Sequence, residues 1–535
     1  MRLTQSCRCD VLVVGAGIAG ITAALEAASL GRRVILSSSA QIFSGSSFYP
    51  GTWGLGLIGP ADDGDRADLA ETIQAVGRGM ADPAMVRTFV DGIHPAIRQV
   101  RDMGVRLRRA GQGGEKEYIP CFDHKHRDWN GIEFDSARQV FSRRIEELGI
   151  RLLPHSELLE LVTADGGICG AVVAVDGEAR YIGCGALVLA TGGYGGLFQY
   201  HLCTEDITGA AQALALKAGC RLVNMEFMQM MPGYLSPAPK TIYNERTFRF
   251  TRFHTPGGEE LFPDTDAWRA LLEERSTHGP FTSRLASREV DFAIFRAFLA
   301  DGRGVAASYS QELREHPPEF VLTYFDWLKA AKGLTMEDTV HLGIFAHAAN
   351  GGIRIAPDAS TGVPGLFACG EATGGMHGAD RIGGLSTANG LVFGGIAGRS
   401  AARYGAAPSG PDCWEFDTTA VAETAPALAE LRELLFRHGM VLRSQSGLAG
   451  ALERLDALQA GLEKAPARDV GSIAASRRLE GQLLTARCIL SAALLRRESR
   501  GSHYREDFPQ EDPAQASPIE IAYQAGQPSA RFTEV

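Results

Sequence analysis

The chain has no apolar run of the ~18–20 residues that a bilayer-crossing helix needs. No apolar leader with a cleavage site precedes its first strand-like stretch, "MRLTQSCRCDVLVVGAG", so a cytoplasmic protein without a transmembrane segment is expected. A basic excess is also missing. Its 53 Lys and Arg stand against 63 Asp and Glu, a formal net charge of −10, which argues against nucleic acid as a partner because nucleic acid calls for a basic field. Paired cysteine motifs are missing too. Ten cysteines are scattered and only Cys7 and Cys9 lie close together. One C-x-C is a poor metal site, and the spacings suit neither an iron–sulfur cluster nor a haem. Reduced thiols and no metal are expected.

What is present is a chain of 535 residues, 45% hydrophobic and 22% charged, with 63 glycines. That length allows several domains and a large core. Much of the glycine lies in motif-like clusters rather than low-complexity runs, which points to backbone that comes close to a ligand.

"DVLVVGAGIAGITAALEAASLGRRVILSSS" reads as strand, turn, helix, strand. Gly15, Gly17 and Gly20 form G-x-G-x-x-G between a buried apolar run and a helical pattern, the context that makes this motif informative. Gly15 permits the tight turn, Gly17 lets N–H groups reach a pyrophosphate, and Gly20 lets helix and strand touch. The acid that usually follows the second strand to hold a ribose is absent. Ser37 stands there, followed by Ser38 and Ser39, leaving hydroxyls or backbone groups for that task. Two later strands end in similar loops. "GALVLATGGYGG" ends in Thr191, Gly192 and Gly193, and "GVPGLFACGEATGG" ends in Gly370 and Glu371. Three separated segments closing on one ligand indicate a long dinucleotide such as FAD, with an inserted domain in the interval.

These loops, together with "GLFACGEATGGMHGADRIGG" and "RRESRGSHYREDFP", resemble the flavoprotein family of succinate dehydrogenase, fumarate reductase and L-aspartate oxidase. The resemblance runs from Asp10 to about Pro509. It implies an α/β fold: a Rossmann-like FAD-binding domain interrupted by an α+β capping domain and followed by a C-terminal helical domain. The expected boundaries are 1–235 and 346–410 for the FAD-binding domain, 236–345 for the cap, 411–510 for the helical domain and 511–535 for a tail. The helical reading of the C-terminal part also rests on apolar residues at helical spacing in "LAGALERLDALQAGLEKA" and "SRRLEGQLLTARCILSAALLRRES". The tail is left as an added edge strand or an unstructured end. Several family members attach FAD through a histidine; the matching stretch here, "FSGSSFYPGTWGLGL", has none. Non-covalent FAD is therefore expected, with Ser46 and Gly54 of that stretch among its contacts. A non-covalent flavin leans toward reducing an alkene or oxidising an easier substrate than succinate.

In the family, a histidine and an arginine hold a substrate carboxylate and a second arginine delivers the proton. "FAHAANGGIRI" matches the histidine segment, giving His347. "HGADRIGG" matches the arginine segment, giving Arg381, with His377 in the same stretch as a further substrate contact. "SREVDFAIFRA" matches the proton-donor segment, giving Arg288. A guanidinium fork suits a planar carboxylate. An arginine can act as an acid toward a strongly basic carbanion despite an intrinsic pKa of ~13.8. "GLSTANG" is expected to begin a helix at Ser386 whose N-terminus stabilises reduced flavin.

The family's second carboxylate site uses a histidine in a segment ending Gln-x-His-Pro. Here "MEFMQMMPGY" places Met231 at that position. The threonine-glutamate pair expected a dozen residues on has no clean counterpart; Glu245 is the acid there. A lost charge-assisted hydrogen bond is worth ~1.5–3 kcal/mol, about tenfold to 150-fold in affinity, so a C4 dicarboxylate should bind poorly. Met228, Met230, Met231 and Phe227 are expected to form an adaptable apolar wall. The first reading is an FAD oxidoreductase acting on a CH–CH bond beside one carboxylate or carbonyl, enoate reductase-like. The alternatives are an L-aspartate oxidase-like oxidation of an amino acid, and an electron-transfer flavoprotein subunit working with a redox partner protein.

Overall fold

Two apolar runs, Val11–Val14 and Ala186–Leu189, lie side by side in parallel at the centre of the largest sheet. Both are buried on each face, as parallel strands covered on both sides require. The computed structural model describes residues 1–109, 118–405 and 410–533. In the central sheet the strands run in the order Arg151–Leu153, Val34–Ser37, Arg2–Val14, Glu178–Leu189, Gly167–Val175 and Glu157–Ala164. Leu366–Ala368 pairs in parallel with Glu178–Leu189. The helix Ile18–Ser29 covers this sheet and packs along Leu385–Tyr404, so the Gly-rich turn and the segment after Arg381 meet.

A second sheet orders Met228–Ser236, Val340–Ala349, Val305–Tyr309 and Thr251–His254, all antiparallel. The helices Asp266–Arg275, Arg288–Asp301 and Glu319–Lys332 flank it. This is the α+β insertion, and two of its strands, Met228–Ser236 and Val340–Ala349, straddle both expected cap boundaries. His347 and Met231 sit on these neighbouring strands, with Met231 opposite Phe345. Three helices follow, Ala425–His438, Gln445–Ala460 and Val470–Leu495. The motif after them is buried: Arg496 reaches Glu226 and Glu498, each at 2.8 Å, and Arg500 reaches Glu498 at 2.7 Å.

The tail takes the ordered alternative. Ile519–Gln524 and Gln527–Phe532 form a hairpin, and Leu222–Val223 lies between this hairpin and Gly352–Arg354. No helix of the described residues is long and apolar enough to cross a membrane.

Candidate active site

At Gly15 the chain turns with φ +110°, and a side chain there would collide with the Ala190 carbonyl. A side chain at Gly20 would strike the Gly15 carbonyl, so helix and strand touch backbone to backbone. Gly17 is the N-cap of Ile18–Ser29; no side chain caps the helix and no acid occupies its first turn. This helix start opens onto a cavity of about 600 Å³ lined by Gly15, Gly17, Ser38, Ser39, Ser46, Thr191 and Gly192. Ser46 Oγ and Thr191 Oγ1 are buried there with no protein partner. A bare, uncapped helix start beside orphaned hydroxyls fits a pyrophosphate-bearing ligand.

Ser37 takes no part in this wall. Its side chain is fully buried, and Ser37 Oγ meets Ser156 Oγ at 2.7 Å. The strand ends at Ser37, and Ser38 and Ser39, which follow it, line the cavity. Two acids from elsewhere, Glu157 and Asp206, line the same wall, the first held by Arg478 and the second accepting from Ser44 Oγ at 2.9 Å.

A second cavity, about 320 Å³, shares Ala19, Ser46, Ser47 and Glu371 with the first, so one long ligand can cross from one to the other. Gly54, Ser386, Arg381, His347, Met231 and Glu245 all line the second cavity. Glu371 Oε1 accepts the Ala349 N–H at 2.9 Å, and burial pushes its carboxyl above the usual range. Gly193 lies behind this carboxylate rather than in the wall, because any side chain there would strike Glu371. The helix expected from Ser386 begins one residue earlier, at Leu385, after Gly384 in the left-handed region.

Arg381 is buried, and its Nε donates to Gln229 Oε1 at 2.9 Å. Gln229 Nε2 returns a bond to the Arg381 carbonyl at 3.3 Å. No ion pair among the described residues includes Arg381, and burial pulls its pKa below the usual guanidinium range. The result is an oriented cation with no direct ion pair among the described residues, its charge met only at longer range by Glu371. His347 stands beside it. Burial, with the Arg381 charge added, pulls the His347 pKa down to about 3, and its Nδ1 is buried without a partner. The ring is therefore neutral near pH 7. The loop that carries Arg381 is tied to the insertion: Asp380 Oδ2 accepts from Thr282 Oγ1 at 2.7 Å and from Arg284 Nε at 2.8 Å.

The other end of the cavity differs. Met231 belongs to an apolar cluster with Tyr49, Leu202, Ile242 and Phe345. Of the expected methionine wall only Met231 reaches the cavity. Met228 and Met230 join the main core, because alternate residues of a strand face opposite ways, and Phe227, which precedes the strand, packs on Met80 and Ala379. Glu245 lies in the wall next to Arg246, whose Nη2 donates to the Ile119 carbonyl at 3.1 Å while its Nε is buried and unpartnered. Cys121 is also in this wall. Its sulfur accepts the Gly279 N–H at 3.1 Å, and burial, helped by Glu245, pushes its thiol up to about 12.

Two expected residues lie off the cavity. His377 is buried with its ring 6.0 Å from that of Phe89, behind the loop whose next cation, Arg381, faces inward. Arg288 opens the helix Arg288–Asp301, but its Nη1 donates to the Ser283 carbonyl at 2.8 Å and its guanidinium lies 5.7 Å over the Tyr504 ring. These contacts turn it away from the cavity in this arrangement. Two wall residues, Arg246 and Cys121, and the buried Gln229 that holds Arg381 escaped the sequence reading. Gln229 carried a signal, since it lies two positions before Met231 on one strand and so shares its face. Cys121 carried none.

The FAD binding domain family matches residues 10–258 and 301–387, and the fumarate reductase flavoprotein C-terminal family matches residues 428–535. L-aspartate oxidase of Caulobacter vibrioides is 28% identical over 94% of this chain and 94% of its own length. A fumarate reductase (CoM/CoB) chain of Methanothermobacter marburgensis is also 28% identical, over 94% of this chain and 95% of its own. The solved structure of Mycobacterium smegmatis Sdh1 in complex with UQ1 superposes with a TM-score of 0.79 at 25% identity, covering 98% of this chain and 94% of that one.

Proposed function

The chain belongs to the FAD-dependent oxidoreductase family of succinate dehydrogenase, fumarate reductase and L-aspartate oxidase, and from that premise we propose that it reduces a C–C double bond beside a single carboxylate or carbonyl. The observation that carries this reading is the asymmetry of the second cavity: an oriented Arg381 with no direct ion pair among the described residues at one end and the apolar Met231 at the other. We place the flavin across the two cavities, held by Gly15, Gly17, Gly20, Ser38, Ser46, Thr191, Gly192 and Glu371, and bound without a covalent bond. No histidine lines the first cavity among the described residues, and His347 in the second belongs to the substrate end.

Bound FAD supplies a two-electron carrier able to give or take a hydride. The residues of the chain do the rest. Gln229 fixes Arg381 through Nε, which leaves the outer nitrogens for a planar carboxylate. As negative charge builds on the carbon next to that carboxylate, Arg381 and the neutral His347 stabilise the enolate-like oxygens. A proton must then reach that carbon. The resemblance assigns the task to Arg288, which would have to leave Ser283 and Tyr504 to perform it. In the observed arrangement Arg246, beside Glu245 and with its Nε uncommitted among the described residues, lines the cavity at the Met231 end, and we assign the proton to it. The start of Leu385–Tyr404, with no acid in its first turn and no side-chain cap, favours negative charge on a neighbouring group.

The test is reoxidation of the reduced holoenzyme. Monocarboxylate enoates should reoxidise the flavin faster than fumarate does, and aspartate should neither reduce the oxidised flavin nor release peroxide. Reduction by aspartate would overturn the reading. One observation favours that second activity, an aspartate oxidase-like reaction: Arg246 lies in the same wall as Met231 and offers a donor for a second carboxylate. Under either reading the electrons pass to or from a partner outside the chain.

A further inference from the structure

The far wall of the second cavity is aromatic. Trp53, Tyr118, Trp129 and Phe320 all line it. Their rings meet edge to face: Tyr118 on Trp129 at 4.7 Å, Trp53 on Phe320 at 5.6 Å and Tyr118 on Phe320 at 5.7 Å. They come from different parts of the fold. Trp129 lies on the strand Asp128–Ile132, Trp53 precedes the neighbouring strand Leu55–Gly59, and Phe320 lies on the insertion's helix Glu319–Lys332. The guanidinium of Arg108 is 5.6 Å over the Trp129 ring, across from Gly131, which has no side chain to separate them. Arg108 Nε is buried without a partner among the described residues.

We propose that this wall is an aryl subsite, so that the substrate is an aryl-substituted α,β-unsaturated carboxylate whose carboxylate rests on Arg381 and His347. The proposal rests on the C–C reduction reading above. Three physical points support it. Trp53, Trp129 and Phe320 are only partly buried although they line a cavity, so each keeps ring surface that a ligand can cover. Their mutual edge-to-face contacts fix the ring planes before any ligand arrives, which lowers the ordering cost of binding. Met231 puts an apolar side chain at this end of the cavity, and Tyr49 of the apolar cluster around it lines the same cavity as the aromatic rings.

The test uses a ligand that cannot be reduced. The FAD-loaded full chain is titrated with 3-phenylpropanoate, propanoate and succinate, and binding is read from the flavin spectrum. 3-Phenylpropanoate should bind at least about tenfold more tightly than propanoate, as one well-placed aromatic contact allows. Phe320→Leu and Trp129→Leu keep apolar volume but remove the ring planes. Each should lose most of that preference while its FAD content and propanoate affinity match the parent chain. Equal affinity for the three acids, or a preference that survives in both variants, overturns the aryl subsite. Tight 3-phenylpropanoate binding with no reduction of any aryl enoate keeps the subsite and overturns the C–C reduction reading. Turnover of alkyl enoates without the aryl preference keeps that reading and overturns the subsite.

Discussion

The two ends of the second cavity obey different rules. At the Arg381 end every polar group has a defined partner or a defined deficit. Gln229 fixes the guanidinium, burial keeps His347 neutral, and one positive charge has no direct ion pair among the described residues. At the Met231 end the wall is apolar and aromatic, and Arg246 has one committed nitrogen and one free. On the proposed reading the first end serves the reaction step, the charge that grows on a carboxylate-linked carbon, and the second receives the rest of the substrate, so that activity class and substrate choice fall to separate residues.

The largest effect should come from Arg381→Ala. Removing the preorganised cation should lower kcat/KM about 10³-fold with the flavin spectrum unchanged; steady-state kinetics on FAD-replete protein checks this. A loss under tenfold would erase the contrast between the ends. Next, Arg246→Ala should lower kcat about 10²-fold, the range of a lost general acid, while Arg288→Ala should lower it much less. The reverse order in single-turnover flavin reoxidation would mean that Arg288 swings in from Ser283 and carries the proton. Met231→His should raise succinate affinity about tenfold or more by returning a charge-assisted donor. Titration of the flavin spectrum measures it, and an unchanged affinity would mean that Arg246 already holds a second carboxylate.

The smallest effect concerns pH. His347 has its pKa lowered from 6.5 to about 3. Between those values the unfolded chain binds a proton that the folded chain does not, so stability falls as pH falls through that window. His347→Gln should flatten the dependence of Tm on pH below 6.5. In the parent chain kcat should show no titration of this histidine between pH 5 and 8.

Much of the fold was legible because it rests on local signals. The Gly15–Gly20 turn declares itself by spacing within a strand and a helix, and the collisions at Gly15 and Gly20 explain why no other residue stands there. Glu371 and Arg381 were legible for a similar reason, sitting in motifs that a strand end or a helix start must carry. Other expectations failed where side-chain direction decides. Ser37 and His377 lie in the right segments but face the core, and only one of three methionines on a strand reaches the cavity. Arg288 occupies its matched position, yet the Ser283 carbonyl and the Tyr504 ring, distant from each other in sequence, hold it elsewhere. The aromatic wall joins Trp53, Trp129 and Phe320 across the fold, and no short window of sequence contains it.

The tail hairpin bears on how the protein is made. Leu222–Val223 is a strand of two residues, too short to persist alone. It is sandwiched between Gly352–Arg354 and the hairpin, and Glu520 receives both Arg221, 299 positions earlier, and Arg354, 166 positions earlier. The Thr373–Gly374 strand that follows Glu371 forms the other edge of this sheet. Closing loops of that length is slow. The carboxylate that joins the two cavities should therefore settle late in folding, and a chain cut before Ile519 should make its Gly-rich turn in good time yet remain slow to take up and keep its flavin.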